Sequence, residues 1–253
     1  MDMSKVILDH MEGFLVISDI HGEYDKMMGA VEYAKSHYLH IVFLGDLVDG
    51  GDKPYETVKE VKSLLDSGMA TFIMGNHDYK WHRAILGNKV IFTDYMVSTI
   101  FDIPLGSEQD FMDTYKYVCE HKNTSVHAIY MEWAFVHAAI VPNVYTDVDL
   151  TKKETHTLLY GSTNGRRDDR GFPVRLYDWI DDIPKGHKAI VGHDRAPMGK
   201  TFDGRPEMYG GALGGLAIFT DTGCGKRDDG TLTVTSLKFV YDIGLTFDRF
   251  ISF

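Results

Sequence analysis

Cysteine is nearly absent: this 253-residue chain has two, Cys119 and Cys224. Two distant thiols build neither the disulfide framework of a small secreted domain nor a thiolate zinc site. Long hydrophobic runs are missing too, and no apolar stretch approaches the ~20 residues that span a bilayer. Residues 1–13 have no basic segment followed by a long apolar one, so they do not read as a secretory signal. These absences point to a reducing, cytoplasmic setting with no membrane partner. Repeats, low-complexity tracts and linkers are also lacking, and the length suits one domain over residues 1–253.

Positive charge is the other shortage. Lys and Arg number 26 against 37 Asp and Glu, a net charge of −11. A sustained grip on long nucleic acid relies on a basic surface that displaces counterions, and this chain as a whole repels polyanions. Any attraction for phosphate must be local, from clustered arginines or bound metal. The chain is not short of histidine: it has 12. Several stand beside Gly or Asp in short motifs rather than on helix faces.

The first ninety residues alternate between two kinds of segment. FLVIS (14–18), HIVFL (40–44) and ATFIM (70–74) are short, apolar and β-branched or aromatic, as buried strands are. Between them, residues 24–38 and 55–68 carry apolar positions at helical spacing, with Val58, Val61, Leu64 and Leu65 as a buried stripe and Gly68 as a C-cap. Strand–helix–strand–helix–strand predicts parallel pairing with ligands at the strand ends. Residues 93–128 lose this rhythm and break at Pro104–Gly106, which predicts a small helical cap. WAFVHAAI (133–140) and KAIVGHDRAP (188–197) predict two more strands running into histidine loops. Residues 161–175 are loop-like and arginine-rich, and the late apolar runs GLAIFTDTG and TLTVTSLKFVYDI predict antiparallel strands.

Each predicted strand end delivers a ligand-type residue: Asp19 and His21; Asp46 and Asp49; Asn76, His77 and Asp78; His137; His193; Asp221. Asp19 and His21, two apart, share a face if the strand extends that far. Mixed carboxylate, imidazole and amide ligands suit divalent Mn, Fe, Zn or Ni rather than an all-oxygen Ca or Mg cage. Phosphate esters hydrolyse extremely slowly in water. Two cations about 3.5–4 Å apart, bridged by a carboxylate, can bind the phosphoryl oxygens and hold a deprotonated water for in-line attack. A nearby imidazole can protonate the leaving oxygen, and an aspartate can fix its tautomer. Taken singly, each loop has a plainer explanation: a turn, a helix cap or a core histidine. Six such loops in this order do not. His10, His37, His40, His82, His121, His127, His156 and His187 read as ordinary histidines.

D-x-H-G, G-D-x-x-D-x-G and G-N-H-D, followed by VHAAI and a later G-H, resemble the calcineurin-like metallophosphoesterases over most of the chain. The single His of VGHDRAP is similar to the phosphoprotein-phosphatase branch. FTDTGCG resembles the D-T-G-C element of bacterial diadenosine tetraphosphatases and lambda-type protein phosphatases. LYGSTNGRRDDRGFPVR and GNHDYKWHRAILG are similar to the phosphatase domain of bacterial polynucleotide kinase–phosphatases. The resemblance implies an α/β fold, a four-layer αββα sandwich. It implies a first metal held by Asp19 and His21 with Asp221 nearby, Asp46 as the bridge, and a second metal held by Asn76, His137 and His193. It further implies His77 as general acid, Asp78 as its orienting partner and Asp49 as support, with two divalent ions, most often Mn.

One departure stands out. Related sequences of that branch usually read G-D-x-x-D-R-G, where the arginine grips the substrate phosphate with a forked contact. Here position 50 is glycine. Arg195 and Arg83 are the expected replacements, with Arg175 a third candidate; Arg166, Arg167 and Arg170 lie in the loop before it. The leading expectation is a two-metal phosphatase acting on phosphomonoesters of a phosphoprotein, nucleotide or short polynucleotide end, including 2′,3′-cyclic phosphates, by attack of metal-bound hydroxide. The alternatives are a dinucleoside polyphosphate hydrolase and a non-catalytic metal-binding module.

Overall fold

The computed structural model describes residues 11–146, 149–169, 171–226, 230–240 and 243–253; His10 and Arg170 lie outside the described residues. The first three apolar segments form β1 (Gly13–Ile17), β2 (Leu39–Phe43) and β3 (Ala70–Ile73), parallel neighbours as predicted. Two helices, α1 (Tyr24–Ser36) and α2 (Pro54–Asp66), make the crossovers. Pro54 starts α2 where its missing N–H costs nothing, and Gly68 follows its last turn at φ 75°. β4 (Thr124–Ser125) extends this sheet beside β3, and β12 (Thr233–Val240) and β13 (Gly244–Ser252) complete its other side, antiparallel to their neighbours.

A second sheet has the order β10 (Glu207–Gly210), β11 (Leu216–Phe219), β9 (Lys188–Val191), β6 (Trp133–Val136) and β5 (His127–Tyr130). Here β6, β9 and β11 are parallel. The expectation of antiparallel late strands therefore holds for β12 and only in part for β11, which is antiparallel to β10 but joins β9 in parallel register.

The period-two pattern of the strands explains the layering. Phe14 and Val16 of β1 meet Trp133, Phe135 and Ile190 of the second sheet in an apolar layer between the sheets. The alternate residues Leu15 and Ile17 face outward onto Met27, Val31, Val58, Val61 and Leu65 of α1 and α2. On the far side, Ala134, Val136, Ala189 and Val191 pack under Leu158 of α6 (Lys152–Tyr160), Trp179 and Ile180. Helices, sheet, sheet and helix thus make four layers. Each buried Phe, Ile or Val contributes roughly 1.5–3 kcal/mol of transfer free energy.

Residues 93–128 divide into unlike parts. The helix α5 (Glu108–Glu120) sits in the helical layer, with Phe111, Tyr115 and Val118 in the core beside Trp81 of α3 (Asn76–Ile85). The preceding α4 (Asp94–Asp102) shows Tyr95, Val97, Ile100 and Phe101 to solvent and buries Met96 and Thr99. Residues 161–175, expected as loop, instead form a solvent-exposed hairpin of β7 (Ser162–Arg167) and β8 (Pro173–Leu176).

Candidate active site

The carboxyl ends of β1, β2 and β3 face those of β6, β9 and β11. Asp19 and His21 follow β1, Asp46 and Asp49 follow β2, Asn76 and His77 open α3 after β3, and His137 and His193 follow β6 and β9. Asp19 ties the two sheets together by accepting the His193 backbone N–H at 2.9 and 3.1 Å.

Asp19 and His21 do not converge by strand alternation, because β1 ends at Ile17. A tight turn aims them, and it uses backbone that side-chain-bearing residues rarely adopt. Asp19, His21, Asp46, Asp49 and His193 all have φ between 50° and 76°. Such conformations cost of order 1–3 kcal/mol each and persist where the surroundings force them, most often at functional sites.

Asp46 lies at the centre, 2 % exposed. Its carboxylate oxygens stand 3.5 Å from His137 Nε2 and 3.9 Å from the Nε2 atoms of His21 and His77. Two groups of ligand atoms, each within 4.8 Å, share it: Asp19, His21 and Asp46, and Asp46, His137 and His193. Asn76 Oδ1 joins the second at 3.0 Å from His137 Nε2. Asp221 is in neither group; its carboxylate accepts the Gly223 N–H at 2.9 Å, behind Asp19. Gly75 makes this crowding possible, since a Cβ there would sit 2.2 Å from Asp46 Oδ1.

The donors are arranged for a cation. His21 and His137 each turn Nδ1 to a buried backbone carbonyl, of Val48 at 2.8 Å and Leu44 at 2.6 Å, which leaves Nε2 bare in the neutral ring. Bare His137 Nε2 then faces Asn76 Oδ1, lone pair against lone pair. His193 directs Nδ1 towards His137 Nε2 at 3.2 Å, and its Nε2 lies 2.8 Å from Arg175 Nη2. Burial and the Arg175 charge hold the His193 imidazole well below its usual pKa, in the neutral form a metal needs. Burial lifts the Asp19 carboxyl well above its usual range, helped by Asp221 and Asp46, and lifts Asp221 to about 6. Asp46 feels the same burial, but His137, His77, His21 and His193 outweigh it and keep its carboxyl low. A buried cluster of mutually repelling carboxylates and bare imidazole nitrogens fits a pair of divalent ions.

His77 carries its own dyad, and its partner is Asp49 rather than Asp78. His77 Nδ1 meets Asp49 Oδ2 at 2.6 Å. The other Asp49 oxygen accepts Trp81 Nε1–H at 2.8 Å and the Thr99 hydroxyl at 2.9 Å, so α3 and α4 both brace it. Burial disfavours the charged His77 ring, but Asp46 and Asp49 override it and raise its pKa. Asp78, expected as the orienting partner, points the other way. It accepts the backbone N–H groups of Gly75, Asp46 and Leu47 at 2.7–3.1 Å, and the Tyr115 hydroxyl at 2.5 Å. Asp78 therefore caps α3 and fixes the loop that carries Asp46. As the third residue of α3 it suits that capping role, and the Asp49 side of the dyad was available in the G-D-x-x-D spacing.

The arginines are dispersed. Arg83 is exposed on α3, Arg195 is exposed beyond His193 with its charge near Asp221, and Arg175 is half-buried against His193 and Asp194. Arg175 and Arg195 line a cavity of about 460 Å³ with Phe172, Tyr177, His193 and Phe202. Lys226, which no motif singled out, reaches the Asp49 backbone carbonyl with its ammonium group.

Comparison with known proteins agrees with this architecture. The family model for calcineurin-like phosphoesterase matches residues 13–211. The asymmetrical bis(5′-nucleosyl)-tetraphosphatase PrpE of Halalkalibacterium halodurans is 27% identical over 194 residues, 71% of this chain and 77% of that protein. Its counterpart from Geobacillus thermodenitrificans is 28% identical over 221 residues, covering 79% and 88%. A protein serine/threonine phosphatase from Saccharomyces cerevisiae superimposes with a TM-score of 0.58 at 12% identity, over 100% of this chain and 82% of that one, a likeness of fold. Among the described residues no helix is long and apolar enough to cross a membrane. With the ligand groups, the His77–Asp49 pair and a match over most of its length, this chain belongs to the calcineurin-like phosphoesterases, hydrolases that act on phosphoester bonds.

Proposed function

We propose that this protein is a metal-dependent dinucleoside polyphosphate hydrolase that cuts a phosphoanhydride bond asymmetrically. The observation that carries the hydrolytic site is the Asp46 carboxylate shared by two ligand groups. The choice of substrate is supported by the PrpE relatives over 71–79% of this chain. The phosphomonoester reading favoured by the motifs uses the same groups and stands second, because those relatives point to the anhydride.

Asp19, His21 and Asp46 would hold one ion, and Asp46, Asn76, His137 and His193 the other, with Mn our first assignment among Mn, Fe, Zn and Ni. When bound, such a pair supplies Lewis acidity at the phosphoryl oxygens and lowers the pKa of water for in-line attack. The remaining work falls to side chains. His77 keeps Nδ1 on Asp49 and offers a proton at Nε2 to the leaving oxygen. Arg175 and Arg195 present charge along the cavity beside His193, which Phe172, Tyr177 and Phe202 also line. Metal binding alone does not require the His77–Asp49 pair, which argues against a non-catalytic module.

One panel with Mn-loaded protein tests this. It would contain a dinucleoside tetraphosphate, p-nitrophenyl phosphate, a phosphopeptide, a 3′-phosphate oligonucleotide and a 2′,3′-cyclic nucleotide. We expect the tetraphosphate to have the highest kcat/KM and to yield nucleoside triphosphate and monophosphate in equal amounts. A higher kcat/KM for any phosphomonoester or cyclic phosphate would replace the anhydride reading with that class.

A further inference from the structure

Position 50 is closed to any side chain. A Cβ on Gly50 would lie 2.4 Å from the Gly225 carbonyl oxygen and 2.8 Å from both the Cβ and the carbonyl oxygen of His21. The glycine is therefore not an opened pocket; the turn at residues 223–226 crosses over it. That same turn carries Lys226, whose Nζ donates to the Asp49 carbonyl, one residue before Gly50, and packs 3.7 Å from the centre of the Tyr95 ring. The segment that excludes an arginine from position 50 thus delivers a cation beside it.

We propose that Lys226 is the phosphate-binding cation of this site, standing in for the arginine that related sequences carry after the second aspartate. It engages a non-bridging oxygen of the phosphoryl group under attack, on the side of Asp49 and His77. This rests on the phosphoesterase reading above and adds a residue that the motif pattern does not contain.

Three observations support it. Lys226 is largely withdrawn from water, whereas Arg83 and Arg195 are exposed. Its charge lies within electrostatic reach of His21, His77 and Asp46. Among the described residues its ammonium meets one backbone carbonyl and an aromatic face, contacts that leave further donor directions of an ammonium group for an incoming oxyanion. A lysine is a single charged point rather than a planar fork, so it fixes the phosphoryl group less rigidly than arginine would.

The test compares Lys226→Met, which keeps the aliphatic stem, with Lys226→Arg. Inorganic phosphate binding to Mn-loaded protein would be measured by calorimetry, and kcat and KM with both a dinucleoside tetraphosphate and p-nitrophenyl phosphate. Loss of a charge-assisted contact predicts about tenfold or greater weakening of phosphate binding and a similar fall in kcat/KM in Lys226→Met, with recovery to within a few-fold in Lys226→Arg. In the wild-type protein, phosphate should also shield Lys226 from reductive methylation, read by mass spectrometry, a measurement that does not depend on a variant folding. Unchanged phosphate affinity in Lys226→Met, equal impairment in Lys226→Arg, or no shielding would overturn the assignment. Wild-type protein that hydrolyses only p-nitrophenyl phosphate would remove the dinucleotide substrate and leave the phosphate-binding comparison to decide Lys226.

Discussion

Asp49→Asn tests the dyad directly. The Asp49 carboxylate is fully buried and receives three donors: His77 Nδ1–H on one oxygen, Trp81 Nε1–H and the Thr99 hydroxyl on the other. An asparagine has one acceptor oxygen for these two directions, so its NH2 must confront either the imidazole or the indole. Turned towards His77, it reverses the tautomer and removes the charge that raises the ring's pKa. Losing a hydrogen bond to a charged partner costs about 1.5–3 kcal/mol. At roughly 1.4 kcal/mol per tenfold, that is a fall of about 10- to 100-fold in kcat where the proton matters.

The proton matters most for a basic leaving group. An alkyl phosphate must expel an alkoxide, whereas p-nitrophenolate and a nucleotide phosphate, as weaker bases, depend on that proton less. The assay is therefore the ratio of kcat for p-nitrophenyl phosphate to kcat for glycerol 2-phosphate, in wild type, Asp49→Asn and Asp78→Asn. Asp49→Asn should raise that ratio about tenfold or more. Asp78→Asn should leave it unchanged and lower the melting temperature, because an amide NH2 would oppose backbone N–H donors from Gly75, Asp46 and Leu47. The opposite pattern, with Asp78→Asn raising the ratio and Asp49→Asn leaving it alone, would refute the assignment of Asp49.

Asp46→Asn removes the carboxylate shared by both ligand groups, so metal content and turnover should both collapse. The metal-free variant should also melt lower than metal-free wild type, because the neighbouring imidazoles hold the carboxyl low and its Oδ1 accepts the His77 backbone N–H at 3.0 Å. Gly75→Ala puts a Cβ 2.2 Å from Asp46 Oδ1. It should weaken metal binding about 10- to 100-fold by titration, the range for disturbed support of a ligand. His40 is buried away from the site, bonded to Thr71 at 3.0 Å, and burial lowers its pKa from 6.5 to about 4. Its neutral form therefore stabilises the fold above pH 6.5, and that contribution, at most roughly 3 kcal/mol, is lost as pH falls towards 4. His40→Gln should flatten that part of the stability curve in urea melts at stepped pH, and an identical slope in the variant would reject it.

The four layers came from the family resemblance rather than from periodicity: Phe14, Leu15, Val16 and Ile17 are all apolar, so the letters mark a strand buried on both faces without saying that one face meets a second sheet and the other meets helices. Strand direction late in the chain was not legible either, since β11 pairs in parallel with β9 through contacts that local pattern does not encode. The G-D-x-x-D and G-N-H-D motifs named the groups around Asp46, but adjacency misled the choice of partner for His77. Asp78 is next to it in sequence and faces away, because the third position of a helix points back at its own N-terminus. Asp49, 28 residues earlier, meets it because β2 and β3 are neighbours. Lys226 was invisible for a further reason. It belongs to no motif, and its place depends on a turn crossing Gly50, a packing fact with no local signature.

Charge decides how such a site can receive a polyphosphate at all. The protein carries a net −11, and its site gathers Asp19, Asp46, Asp49, Asp78 and Asp221 with little exposure to water. Without cations this concentration would repel an anionic substrate; burial raises the carboxyls of Asp19 and Asp221, and repulsion from Asp46 adds to it. Two divalent ions would reverse the sign at the floor of the site, leaving Lys226, Arg175 and Arg195 as fixed charges around it. Attraction is then local, on a protein whose overall charge is −11. That balance favours short polyphosphates over long polyanions, whose distal phosphates would meet a protein of net negative charge. Added salt should accordingly weaken binding of a dinucleoside tetraphosphate while relieving the repulsion of a long phosphorylated oligonucleotide, and the two salt slopes of kcat/KM should have opposite signs.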